Sequence, residues 1–187
     1  MLKALVSTCL IAGCLAIFSI PSSAQEIIHA LTGTVSSIDN AGKTITVFQD
    51  NGSQSVFQEM PNPKTPIAWD KKIAAETTAA HSFDKQGAYV IVFYFGNDTV
   101  VALKSLGSGP FTSADGTVTS FDAHAHSFTV QDKSGTAQTF KIADQTVAES
   151  NMGAVDGLKF HAGKGDHVRI VASTVDGAPT ALFIRDL

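Results

Sequence analysis

One stretch of this chain is written twice, and that constrains the fold more than anything else in it. Residues 33–57 and 116–140 align without a gap at an offset of 83, with identities at Gly33, Thr34, Val35, Ser37, Asp39, Thr46, Val47, Gly52 and Phe57. Nine matches in 25 far exceed the roughly one or two that unrelated sequence supplies, so the chain reads as an internal duplication. The match resumes at a shifted offset: FDKQGAYVIV from Phe83 corresponds to FHAGKGDHVRIV from Phe160, and VALKSL from Val101 to TALFIRDL from Thr180. Two units are too few to cover the open ends of a solenoid. Each unit, of about 80 residues, is therefore expected to close on itself as a small domain.

Within each unit the residues alternate at period two, as in Thr44-Ile45-Thr46-Val47 and Ser127-Phe128-Thr129-Val130, which predicts half-buried strands. Asp50-Asn51-Gly52 and Lys133-Ser134-Gly135 carry the residues that a tight hairpin turn needs. Strands are expected near 32–38, 43–49, 53–59, 88–95 and 99–106, and near 116–122, 127–132, 136–142, 166–173 and 179–186. Between the third and fourth strands, unit one inserts Pro61 to Ser82. Pro61, Pro63 and Pro66 forbid a ladder strand there, and Asp70 to Glu76 reads as a short helix with an Asp cap. Unit two has a shorter connector, Asp144 to Phe160.

Three strands, a connector and two strands is the order of an OB-type barrel. The expected fold class is all-β with minor helix, as two tandem five-stranded OB-like barrels. LGSGPF, residues 106–111, separates them, giving domains at 25–107 and 108–187. YVIVFYF, residues 89–95, is apolar on both faces. Either its outer face is covered by the sister unit or by a second copy, making this strand a route to a homo-oligomer, or it is a central strand buried within unit one.

The first 24 residues have the shape of a signal peptide. Lys3 precedes an apolar run from Ala4 to Ile20, Pro21 breaks it, and Ser22-Ser23-Ala24 offers small residues for cleavage after Ala24. The protein is expected to be periplasmic or secreted, with no membrane span in its mature form. A competing reading takes Ile11-Ala12-Gly13-Cys14 as a lipobox, which would anchor the chain by lipid at Cys14. Cys9 and Cys14 are the two cysteines, so cleavage after Ala24 removes disulfides, thiol nucleophiles and thiolate zinc sites together. The mature balance is 12 basic against 17 acidic residues, or −5. That disfavours a large anionic partner, and an OB-type nucleic-acid binder with it.

The Gly-Thr-Val strand, the x-Thr-Val strand after a small turn, the Gly-Asp/Ala-x-Val strand and the closing Ala strand together resemble small domains of unknown function that recur singly or in tandem in exported bacterial proteins. The resemblance covers nearly all of the mature chain. It implies an OB-like barrel and no catalytic residue, and the Pro-rich insertion of unit one departs from it.

Candidate chemistry is sparse. His124 and His126 lie between the first two strands of unit two, and side chains two apart in extended chain share a side. They could supply two metal ligands, with His161, His167, Asp122 or Asp166 as a third. Ala41 and Lys43 stand at the equivalent positions of unit one. Trp69, the single tryptophan, is either a stacking platform for a sugar or peptide or a pin that holds the insertion to the barrel. No nucleophile elbow or complete phosphate loop occurs, and no cofactor is called for. NGS at 51–53 and NDT at 97–99 read as turn chemistry before glycosylation sites. The functional expectation is a non-enzymatic exported module that binds a small ligand, a glycan or an envelope protein, with metal binding through His124 and His126 as the alternative.

Overall fold

The computed structural model describes residues 26–61 and 70–187. The signal-peptide and lipobox segment, both cysteines, Pro63, Pro66 and Trp69 lie outside the described residues. Alternation dictates the first unit: β1 (His29–Asp39), β2 (Thr44–Gln49) and β3 (Gln54–Glu59) form an antiparallel meander, followed by helix α1 (Lys71–Ala75) and the two-residue β4 (Thr78–Ala79). Then β5 (Tyr89–Phe95) returns beside β1, and β6 (Thr99–Ser105) pairs with β5. Parallel pairing of Gln58 and Glu59 with Thr99 and Val100 closes the circuit. Every expected strand of this unit is present within a few residues of its predicted bounds. Asp70 caps α1, its side chain accepting from the Lys72 amide, as the Asp at that place predicts.

The second unit repeats the circuit with β7 (Thr112–Asp122), β8 (Ser127–Gln131), β9 (Ala137–Ser150), β11 (His167–Val175) and β12 (Ala178–Asp186), and with β10 (Gly153–Asp156) added outside β9. Correspondence extends to defects in the ladder. A bulge falls between Val35 and Ser37 in β1 and between Val118 and Ser120 in β7, and another between Phe93 and Tyr94 and between Val171 and Ala172. Bulges of this kind bend a strand enough to close a small barrel. The chain is thus two five-stranded OB-like barrels, each filled by its own inward residues: Val35, Ile45, Val47 and Phe57 in the first, Val118, Phe128, Val130 and Phe140 in the second. Among the described residues no helix is long and apolar enough to cross a membrane.

One expectation needs correction. The connector predicted from Asp144 to Phe160 is largely strand. The run from Ala137 to Ser150 contains no Gly or Pro, so nothing stops β9 after Ile142, and its second half gains a parallel ladder with β12 and an antiparallel one with β10. Only Gly157–Lys159 forms a short 3-10 turn.

Strand β5 is central in its sheet and also covered outside. Val90 and Val92 fill barrel one, while Ile91 and Phe93 point the other way, as period two requires, and pack with Ile28, Ala30 and Ile73 against Val147, Val171 and Phe183 of barrel two. Ile91 and Phe93 are 0% exposed. Each such side chain taken from water stabilises the junction by about 1.5–3 kcal/mol. The outward side chains of β5 at Ile91 and Phe93 are thus covered by barrel two. Around this apolar centre lies a polar ring. The Ala154 amide donates to Ile28 O at 2.7 Å, and Lys72 reaches Asp144 and Asp156, both at 3.1 Å. Lys159 pairs with Asp70, and Lys104 with Glu76 and with the Gln145 carbonyl. The insertion of unit one is therefore a clamp on barrel two: α1 supplies Ile73 to the apolar centre, and its cap and first turn supply the charges.

Candidate functional site

At one edge of the junction the apolar packing gives way to a cleft of about 520 Å³, lined by His29, Tyr94, Gly96, Glu149, Ser150, Asn151, Arg185, Asp186 and Leu187. Strand register builds it. His29 and Tyr94 are direct partners across β1 and β5, and Glu149 and Arg185 are direct partners across β9 and β12. Each barrel thus presents one cross-strand pair of polar residues, and the junction sets the pairs opposite each other.

Glu149 carries the connection. Its Oε1 lies 2.7 Å from His29 Nδ1 and its Oε2 accepts the Ala30 amide at 2.8 Å, so both carboxylate oxygens are used across the junction. The side chain is only 8% exposed. Burial pushes the Glu149 carboxyl above its ordinary range, against the pull of the His29 and Ala30 hydrogen bonds and the nearby Arg185 charge. With Glu149 ionised, Nδ1–H donates to it, which fixes the imidazole and leaves Nε2 on the other side of the ring. The His29 ring lies against Tyr94, with centroids 5.9 Å apart. Burial raises the Tyr94 phenol too, with the Glu149 charge adding to the rise and Arg185 opposing it.

Three polar groups in this lining have no protein partner. Among the described residues Tyr94 Oη, the Arg185 guanidinium and His29 Nε2 form no hydrogen bond or ion pair, and none is sealed from solvent. Arg169, the neighbour of Arg185 across β11 and β12, is instead committed to Asp115 through Nε at 3.0 Å and Nη2 at 2.7 Å. The cleft thus contains a buried, fully engaged carboxylate behind an imidazole, and in front of it a phenol, a guanidinium and a ring nitrogen open to solvent.

The histidines singled out from sequence lie elsewhere. His124 and His126 occupy the turn between β7 and β8, where Asp122 Oδ1 accepts the amides of His124 and Ala125, both at 2.9 Å. Asp39 does the same for Ala41 and Gly42 in unit one. The Ala125 amide, with that of His124, holds Asp122 below the ordinary carboxylate range. His126 takes φ 46° and Lys43 φ 52°, so the same left-handed turn is built in both units, and the extended-chain alignment of the two side chains does not apply. The other expected ligands have separate surroundings. His161 packs edge-on against Phe121, His167 Nδ1 lies 3.5 Å from Thr117 Oγ1, and Asp166 accepts the Gly163 amide at 2.6 Å. Among the described residues no three His, Cys, Asp or Glu side chains are gathered as a metal ion would need. Asn51 and Asn97 sit in turns, and Asn51 Oδ1 accepts the Ser53 amide.

His29, Tyr94, Glu149 and Arg185 were not singled out by the sequence reading. Two signals were there: Tyr94 and Arg185 each follow an apolar stretch, Val90 to Phe93 and Ala181 to Ile184, and Glu149 lies in a run free of Gly and Pro.

No protein family matches the chain, and no curated protein matches it. Among solved structures it is similar to CusF. The apo form of CusF residues 6–88 from Escherichia coli is 17% identical, with 44% of this chain and 94% of that one covered, at a TM-score of 0.33. A silver-bound CusF structure is 16% identical over 42% of this chain and all of that one, at 0.33. CusF-Ag(I) residues 10–88 from Escherichia coli is 16% identical over 42% and 92%, at 0.32. The barrel architecture rests on the strand circuits themselves.

Proposed function

We propose that this chain is an exported, non-enzymatic binding module, made by duplication of one barrel, that takes a small polar ligand in the cleft between its two barrels. One observation carries the reading. Two cross-strand pairs, one from each barrel, face each other there and, among the described residues, leave Tyr94 Oη, Arg185 and His29 Nε2 without hydrogen-bonding partners in a concave site. Polar groups held in such a place are those that fix the orientation of a ligand. The Glu149 bond to His29 supports the same reading, because it orders the imidazole before any ligand arrives. Export is read from the amino-terminal segment, and the non-enzymatic character from the resemblance, which implies no catalytic residue.

A thermal-shift screen of small polar compounds against the wild-type protein and a Tyr94→Phe/Arg185→Ala double variant tests this. Compounds that raise the midpoint of the wild type and not of the variant are expected, since a ligand bound only to the folded state stabilises it. Compounds that stabilise both proteins equally would move the site away from the cleft.

A further inference from the structure

Building on the cleft as the binding site, we infer that its ligand is a small oxyanion, a carboxylate or a phosphate, gripped by Arg185, Tyr94 Oη and His29 Nε2. The argument is an inventory of donors and acceptors. Arg185 has only donors, in the planar fork that fits two oxygens of one anion, and unlike Arg169 it is not spent on a carboxylate. Tyr94 adds a hydroxyl donor. Glu149, the buried acidic side chain of the lining, turns one oxygen to His29 and the other to the Ala30 amide, and among the described residues it forms no hydrogen bond with Arg185 or Tyr94. Asp186, exposed at the rim, is the remaining acidic side chain of the lining.

His29 decides how the anion is held. The groups facing it are Glu149 at Nδ1, the Tyr94 ring, Arg185 on β12 and Asp186 at the rim. With Nδ1–H given to Glu149, Nε2 donates to a ligand only when the ring carries both protons. An oxyanion that accepts from Nε2 therefore needs both ring nitrogens protonated, and the imidazolium then lies between two anions, Glu149 and the ligand. Affinity should accordingly rise as pH falls. Asp186 works against the anion from the rim.

The test is an NMR titration of the protein at constant ionic strength, following the His29 ring and the Tyr94 and Arg185 amides. The probes are inorganic phosphate, acetate, glucose and ethylammonium. Phosphate or acetate should shift these signals to saturation, acetate more tightly as pH falls within the range where it stays ionised, and the stronger of the two identifies the source of the oxyanion. Arg185→Gln should weaken binding about tenfold or more and Tyr94→Phe severalfold, as expected for bonds to a charged group. Asp186→Asn should tighten it, and Lys133→Gln, away from the cleft, should leave it unchanged. Arg185→Lys, which keeps strand and charge but loses the fork, should fall between wild type and Arg185→Gln and guards against a folding defect. Saturation by glucose or ethylammonium but by neither anion would overturn the oxyanion and leave the cleft as the site. Silence of the cleft to all four probes would overturn both.

Discussion

The outer faces of β5–β6 and β11–β12 occupy the same place in their respective barrels and have opposite characters. In the first, Ile91 stands opposite Lys104 and Phe93 opposite Ala102. In the second, Arg169 stands opposite Arg185 and Val171 opposite Phe183. The Phe93 and Val171 rows are both buried in the junction, whereas the Ile91 row is dry and the Arg169 row is half open to water. One row of side chains therefore separates a face sealed in the junction, its Lys104 held by Glu76 and the Gln145 carbonyl, from a face whose arginines meet water. Both barrels have the same scaffold, and the difference is made by which outward residues the neighbouring barrel covers.

The largest effect expected on this comparison is in its shared row. Phe93→Ala should destabilise the protein by about 3–5 kcal/mol, and Val171→Ala at the matching position by about 1.5–2 kcal/mol, in chemical denaturation. If the two changes instead melted one barrel ahead of the other, the junction would not be holding them as one unit. A second pair tests whether the scaffolds are equivalent. A Cβ on Gly33 would lie 2.5 Å from Phe48 O and 2.7 Å from Val47 Cγ1, and one on Gly116 would overlap Gln131 O and lie 2.8 Å from Val130 Cγ1. Gly33→Ala and Gly116→Ala should each cost about 1–3 kcal/mol through forced backbone shifts. Unequal costs would mean that one barrel yields where the other does not.

Two carboxylates that bridge the junction should respond to pH with opposite signs. The Lys159 hydrogen bond holds Asp70 below its ordinary 3.8. Its contribution is present above that value and is lost as pH falls through the lowered one. Glu149 is held above its ordinary 4.5 by burial, so its contribution is complete below 4.5 and is lost as pH rises through the raised value. Asp70→Asn should flatten the acid limb of a stability-against-pH curve. Glu149→Gln should flatten the decline above 4.5. The same slope in both variants would contradict these environments. The smallest effect is at the left-handed turn residues. Lys43→Gly and His126→Gly should each stabilise by up to about 1 kcal/mol, because glycine takes a positive φ without strain.

The barrels were legible in the sequence because strands, turns and the duplication are local signals. Thr44 to Val47 alternates, Asn51-Gly52 turns, and Gly33-Thr34-Val35 is written again at 116–118. The cleft was not legible, for a physical reason. His29 and Glu149 are 120 positions apart, each is an ordinary strand residue by itself, and only the packing of one barrel on the other makes them a pair. His29 precedes the repeated stretch and Glu149 follows it, so the duplication offered no guide to either. His124 and His126 are close in sequence, yet the turn shaped by Asp122 puts His126 in the left-handed region, so extended-chain geometry does not hold there. The reach of β9 to Ser150 was missed because a connector was expected where unit one has its insertion.

The junction joins two versions of one surface within a single polypeptide. In a symmetric pair of identical chains, every substitution at the contact appears on both sides at once. Covalent fusion lifts that constraint, since each half of the gene can change without its twin. An isoleucine can persist where dryness is needed while its counterpart drifts to arginine, and the contact then acquires a front and a back. Directionality of that sort is what the linker at 106–111 gives to evolution, beyond holding two barrels together.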